Sequence, residues 1–251
     1  MIWRHELKYL IDEATFRELY YQLRPIMHPD YHAAAGGQDS EQICSYQIRS
    51  LYFDDYGRQG VFAKLAGVDP RHKYRIRIYG DGDQVIHLEK KIKAGSLTQK
   101  QSCPLTRSQV ECLLAGDPEP LIALLPGPDI STGRSEQLIG QFYAEWQTRL
   151  LRPLLLVDYD RIPLVWPDGN VRITFDRHLA TGFYRQDLWD PGAGLQPVLD
   201  HRTLILEVKY DHFLPEFIRA LIPLAGASPL AVSKYTQCAT FCRQQSWEDQ
   251  T

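Results

Sequence analysis

The run Lys73-Tyr74-Arg75-Ile76-Arg77-Ile78-Tyr79 alternates cation and apolar residue with a period of two. Successive side chains of a strand point to opposite faces, so one face collects Lys73, Arg75, Arg77 and Tyr79 while Tyr74, Ile76 and Ile78 share the other. The next segment repeats the pattern. His87, Glu89, Lys91 and Lys93 align against Ile86, Leu88 and Ile92, with Lys90 as the exception. Working outward, Arg4, Glu6 and Lys8 share a face near the start, opposite Trp3, Leu7 and Tyr9. Val157, Tyr159 and Arg161 align, as do Arg172, Thr174 and Asp176, and finally Glu207 and Lys209.

A single strand of this kind reads as a sheet with a solvated polar face. The set as a whole does not. Cations dominate the polar faces taken together, with one carboxylate per strand on several, and like charges on neighbouring strands repel, so the arrangement costs stability until an anion binds. The opposite faces are strongly apolar and need cover. A β-barrel with helices outside and a charged lumen satisfies both demands, and a charged lumen implies a ligand or water channel. The expected strands are Ile2–Leu10, Cys44–Phe53, Lys73–Tyr79, Val85–Lys93, Leu97–Cys103, Pro153–Arg161, Val171–Asp176 and Thr203–Tyr210, with a short piece at Ala180–Tyr184. Helical spacing appears at Asp12–Leu23, Thr106–Leu114, Glu136–Leu150, Phe213–Leu224 and Ser233–Gln245. Thr106 and Gln109 have the spacing of a capping box.

The 251 residues read as one domain spanning 1–251, in the α+β class. The net charge is −3, so the surface as a whole is not that of a nucleic-acid binder. Any anion site comes from local sorting of charge. No GxGxxG follows a strand, no GxxxxGK[ST] is present, and no GxSxG marks a serine nucleophile. The five cysteines lack zinc spacing and read as reduced thiols, and there is no signal region or spanning apolar run, so a cytoplasmic protein is expected. Arginine offers phosphate a planar donor fork and lysine a point charge. The carboxylates Glu6, Glu89 and Glu207 are too few to neutralise the cations, but they suit Mg2+ or Mn2+ bound together with substrate phosphates. Few aromatic platforms alternate with the cations, so a linear phosphate chain fits better than nucleic acid.

The ordered series Arg4-x-Glu6-x-Lys8, Ser50-Leu51-Tyr52-Phe53-Asp54, Lys73 to Tyr79, Leu88-Glu89-Lys90-Lys91-Ile92-Lys93, Val157-Asp158-Tyr159-Asp160-Arg161, Arg172-Ile173-Thr174-Phe175-Asp176, Ile205 to Tyr210 and Ser233-Lys234-Tyr235 resembles the VTC domain. That is the polyphosphate polymerase domain of the triphosphate tunnel metalloenzyme superfamily, which includes the CYTH domains. The resemblance implies an eight-stranded antiparallel tunnel barrel, a nucleoside triphosphate donor and a divalent metal. It implies that Lys8, Arg75, Arg77, Lys91, Arg161, Arg172, Lys209 and Lys234 contact phosphates. Arg4, Lys73, Lys93, Tyr79 and Tyr159 would line the path, and Glu207 would hold metal with Glu6. Triphosphatases of the superfamily carry Glu-x-Glu-x-Lys in the first strand. Arg4 replaces the first Glu here, which favours transfer onto polyphosphate over hydrolysis. A triphosphatase and a non-catalytic polyphosphate or nucleotide sensor remain as alternatives, with room for a membrane-protein partner.

Overall fold

The computed structural model describes residues 3–34, 43–80, 84–125, 133–183, 187–222 and 233–248. Eight strands close into an antiparallel ring. They are β1 (Arg4–Asp12), β2 (Tyr46–Asp54), β3 (Arg71–Tyr79), β4 (Ile86–Ala94), β5 (Leu97–Pro104), β6 (Arg152–Trp166), β7 (Val171–Phe183) and β9 (Thr203–Tyr210). Around the barrel the order is β6-β2-β3-β4-β5-β1-β9-β7, and β7 returns to β6. A two-residue strand, β8 (Gln196–Pro197), adds to β7 outside the ring. Closure removes the free edges that an open sheet would expose.

Local chemistry sets the elements. Asp12 ends β1 and caps α1 (Glu13–Leu23), accepting from the Thr15 amide at 2.8 Å. Gly95, at φ +56, turns β4 into β5 with Ala94 opposite Leu97, a loop of two residues that needs a left-handed first position. The capping box forms at Thr106 and Gln109 and starts α4 (Arg107–Leu114). The helix α6 (Arg134–Thr148) buries Leu138, Phe142 and Trp146 against Phe53, Tyr74, Ile76 and Leu88 on the outer faces of β2–β4. On the opposite side α1 lays Phe16, Leu19 and Leu23 on the outer faces of β7 and β9.

Two strands run longer than the sequence suggests. The strand expected over Pro153–Arg161 continues through Pro163 to Trp166 as β6. β2 has already ended there, since its pairing with β6 covers only residues 152–161, so the missing Pro163 N–H faces no strand. Val171–Asp176 and Ala180–Phe183 belong to one strand, β7, joined through a bulge where His178 takes φ +51 and bonds Asp160 at 2.7 Å. Three short helices escaped the periodicity reading: α2 (Tyr31–Ala34), α3 (Gln59–Leu65) and α5 (Glu119–Ile122). The expected helix at Phe213–Leu224 is α7 (Glu216–Leu221), and the last helix, α8, spans Lys234–Glu248. Among the described residues no helix is long and apolar enough to cross a membrane.

Candidate functional site: a cationic tunnel

The alternation along each strand turns the charged faces inward. Cross-strand register brings Lys73 opposite Lys91, Arg75 opposite Glu89, Lys8 opposite Glu207, Glu6 opposite Lys209 and Arg172 opposite Lys209. The deeper members of the inward face are enclosed, as a solvated face would not be. Arg77 is 5% exposed, Arg161 4%, Glu207 3% and Lys234 8%. Lys90, the exception in β4, points outward. It lies under α6, bonded to Gln141 at 3.0 Å and Glu145 at 3.4 Å, with its ammonium 5.0 Å from the Tyr74 ring centroid.

Three adjoining voids run through the barrel. The wide mouth holds about 560 Å3, and nine of its lining residues are Lys or Arg, with no carboxylate among the described ones. A constriction of about 50 Å3 follows, sharing Arg75, Arg77, Lys91, Arg161 and Lys209 with the mouth. A third void of about 80 Å3 lies at the far end, where Lys64, Arg71, Lys73 and Lys93 meet. Of the residues singled out from sequence, Arg4, Tyr79 and Arg172 line the wide mouth. Lys8, Tyr159, Glu207 and Lys234 line the constriction. Lys93 stands at the far end, and Lys73 reaches both the constriction and the far end.

The carboxylates divide into two kinds. Glu89 is enclosed by cations: Arg75 Nε donates at 2.7 Å, Lys100 Nζ at 2.7 Å, and Arg77 lies at 3.9 Å. Burial works to raise its pKa, but Arg75, Arg77 and Lys100 hold it well below the usual range. Both oxygens are therefore occupied, and Glu89 orients Arg75. Asp176 plays the same part for Arg161, which grips it through Nε at 2.7 Å and Nη2 at 2.8 Å, while Lys234 approaches at 2.5 Å. Glu6 and Glu207 adjoin each other across β1 and β9. Lys91 donates to Glu6 at 2.6 Å and Lys8 lies at 3.2 Å, while Lys209 pairs closely with Glu207. Burial opposes ionisation of Glu6, yet Lys8 and Lys91 bring its pKa down to about 2.

The amines pay for this crowding. Burial pushes the Lys209 pKa down to about 7 against the pull of Glu207 and Glu6. Burial, with Lys8 beside it, lowers Lys91 to about 8. Lys73 falls well below its ordinary value, first by burial and then by Lys91 and Lys8. Its neighbours are the Ser233 hydroxyl at 2.9 Å and the rings of Tyr52 and Tyr235 at 5.5 and 5.4 Å. Tyr159 accepts from Arg77 at 3.1 Å, and its ring carries Lys234 at 4.7 Å and Arg161 at 5.3 Å.

α8 closes one part of the lumen. Tyr235 and Cys238 pack on the inward residues Ile48, Val157 and Ile205, giving an apolar floor, while Ser233 and Lys234 reach the constriction. Asp54 anchors this helix. It accepts from Tyr235 Oη at 2.5 Å and from the Gly60 amide at 2.9 Å, so one carboxylate holds α8 and the start of α3. Sequence reasoning missed Lys100, Arg134, Tyr46 and Asp176 as site residues. Lys100 follows from alternation once β5 is read as a full strand, and Asp176 from its alignment with Arg172. Nothing in the linear pattern marks Arg134.

Divalent metal fits in one manner only. Among the described residues no group of three His, Cys, Asp or Glu side chains could hold an ion. The adjoining pair Glu6 and Glu207 suits a hard cation that takes one or two carboxylates and completes its shell with phosphate oxygens and water.

The fold and bore define an eight-stranded tunnel barrel with a strongly cationic lumen. The VTC domain model matches residues 3–242, and the chain belongs to the VTC domain family. No curated protein sequence matches it. Among solved structures it is similar to a Hippeastrum protein described as having a dominant triphosphatase activity (16% identity, TM-score 0.49, 97% of this chain and 96% of the other). It is also similar to a Bacillus halodurans protein (14%, 0.44, 93% and 96%) and to the S. pombe RNA triphosphatase Pct1 (11%, 0.28, 99% and 82%).

Proposed function

We propose that this chain is a metal-dependent phosphotransferase that moves the terminal phosphate of a nucleoside triphosphate onto a polyphosphate chain inside the tunnel. The observation that carries the reading is the sorting of charge. A wide mouth of nine cations leads into a constriction where Glu6 and Glu207 stand side by side. In this reading Arg75, Arg77, Arg161, Arg172, Lys91 and Lys209 receive phosphates, and Glu89 and Asp176 hold two of the arginines in place. Lys8 and Lys234 flank Glu207, at 3.9 Å each, and complete the cationic wall. Phosphoryl transfer asks chiefly for positioning and charge neutralisation. The attacking oxygen of a terminal phosphate is already ionised, so no dedicated base is required.

Mg2+ or Mn2+ at Glu6 and Glu207 would neutralise charge on the transferred group. Arg4 supports transfer over hydrolysis. It occupies the first-strand position where a further carboxylate would enlarge the metal site, and it pairs with Asp211 at 2.7 Å instead. A bore with cationic openings at both ends suits a product that lengthens.

The test is incubation of the protein with ATP and Mn2+ or Mg2+, with products resolved on a polyphosphate-stained gel and orthophosphate measured alongside. Long chains that disappear in Glu207→Gln are expected. Orthophosphate without chains would replace transfer by hydrolysis, and tight triphosphate binding without turnover would make the protein a sensor.

A further inference from the structure

The wide mouth is larger than a phosphate chain needs. Its cavity of about 560 Å3 lies within the range of small-molecule sites, whereas the constriction holds only about 50 Å3. Three aromatic rings from three separate segments converge there. His32 of α2 stacks on Tyr79 at the end of β3, with centroids 4.6 Å apart and planes 7° apart. Tyr46, at the start of β2, lies 5.9 Å from Tyr79 and 5.6 Å from His32. Both tyrosines line the cavity. The cluster touches the cationic wall directly. Arg172 Nη2 donates to the Tyr46 hydroxyl at 2.9 Å, and both contact Asp30.

The deeper rings offer nothing comparable. Tyr159 is 2% exposed and carries Arg161 and Lys234 against its ring. Tyr52 is 4% exposed and stacks on Tyr235 at 4.8 Å. Tyr79 has Arg77 at 6.0 Å from its ring, but it and Tyr46 are only half-buried and line the wide cavity, so a planar base finds accessible aromatic surface there and none further in.

We infer that Tyr79 and Tyr46, backed by His32, form a nucleobase platform at the wide mouth, so that a nucleoside triphosphate enters phosphates first. Resting on the proposed function, this assigns the donor an orientation. The base stays on the rings, Arg172 and Arg77 take the nearer phosphates, and the terminal phosphate points to Glu6 and Glu207. Every base has a stacking face, so the platform favours nucleotides over bare triphosphate while separating one base from another only weakly.

The test compares dissociation constants of ATP and inorganic tripolyphosphate for the whole chain in wild type, Tyr79→Leu and His32→Ala. Loss of one base–aromatic stack weakens ATP binding by about tenfold in Tyr79→Leu. Tripolyphosphate binding weakens less than ATP binding, because Arg77 beside the Tyr79 ring and the other phosphate-binding cations are all retained. The expected result is a fall in the ATP-to-tripolyphosphate preference in both variants. An unchanged preference overturns the platform while leaving the phosphate tunnel standing. Failure of wild type to bind either ligand overturns the tunnel reading and the platform with it. Saturation transfer to ATP in the wild-type protein needs no variant to fold. Adenine H2 and H8 receiving more than the ribose protons supports the platform, and adenine receiving less overturns it.

Discussion

Replacing Glu89 by glutamine removes the one carboxylate that holds Arg75 and Lys100 and lies within 3.9 Å of Arg77. The residue is 1% exposed, so water cannot take its place. Removing one member of a buried, hydrogen-bonded ion pair costs about 3–5 kcal/mol, since the partner stays behind uncompensated. For a domain of this size each kcal/mol lowers Tm by about 2–4 °C, so the empty variant should melt roughly 6–20 °C below wild type. The deficit has a specific remedy. Tripolyphosphate in the bore supplies the missing negative charge, so saturating ligand should raise Tm more in Glu89→Gln than in wild type. Thermal unfolding followed by circular dichroism, with and without tripolyphosphate, measures both. The carboxyl contributes its stability above its ordinary pKa and loses it as pH falls through the depressed folded value, so the gap between the proteins closes in acid. A fall in Tm below about 2 °C would refute the charge argument. A deficit of equal size at ligand saturation would show that the bound anion does not take over the role of the Glu89 charge.

Three further outcomes follow from the same geometry. Lys90 and Lys91 are neighbours on opposite faces of β4, so Lys91→Met should weaken tripolyphosphate binding by about tenfold or more while Lys90→Met leaves it within about twofold, as calorimetric titration would establish; equal losses would contradict the register. Burial holds the folded pKa of Lys209 at about 7 and of Lys91 at about 8, both below the unfolded value of 10.5, so the unfolded chain binds more protons in this window and the empty protein should gain stability from pH 7 to 8. A urea midpoint that falls across that interval would reverse the sign. Asp54→Ala strips three donors of their acceptor, those of Tyr235, Gly60 and Asp55, and should cost about 2–4 kcal/mol while lowering turnover through misplaced Lys234, with Asp54→Asn intermediate in both. Wild-type turnover in Asp54→Ala would detach α8 from the chemistry.

The barrel and most of its lining were legible because alternation is a local property. Lys73, Arg75 and Arg77 declare their common face within five residues of sequence, and no tertiary knowledge is needed to see it. Pairing of the charges was not legible. Glu89 and Glu207 look alike in sequence, each two residues from a lysine on its own face. Only the barrel's register commits Glu89 to Arg75 and Lys100 and sets Glu207 beside Glu6. Short helices escaped for a related reason. The start of α3 is fixed by the side chains of Asp54 and Asp55, which accept from the Gly60 and Gln59 amides, and its apolar face is too brief to show a period. The aromatic cluster at the mouth joins His32, Tyr46 and Tyr79, which no sequence interval relates.

Closure of the ring also bears on how the chain reaches its native state. The seam between β1 and β9 joins His5 to Tyr210, nearly the whole length of the chain apart. Contacts of such separation carry a high loop-closure entropy and form slowly. Until that seam forms, Lys8 and Glu6 lack their partners Glu207 and Lys209, which lie about two hundred residues further along the chain. Closing the seam sets Glu6 against Lys209 and Lys8 against Glu207, and it completes a lumen whose cations outnumber its carboxylates. A polyanion present at that moment would act as a template, lowering the electrostatic barrier to closure and making the rate of refolding, as well as the final stability, depend on phosphate chains in solution.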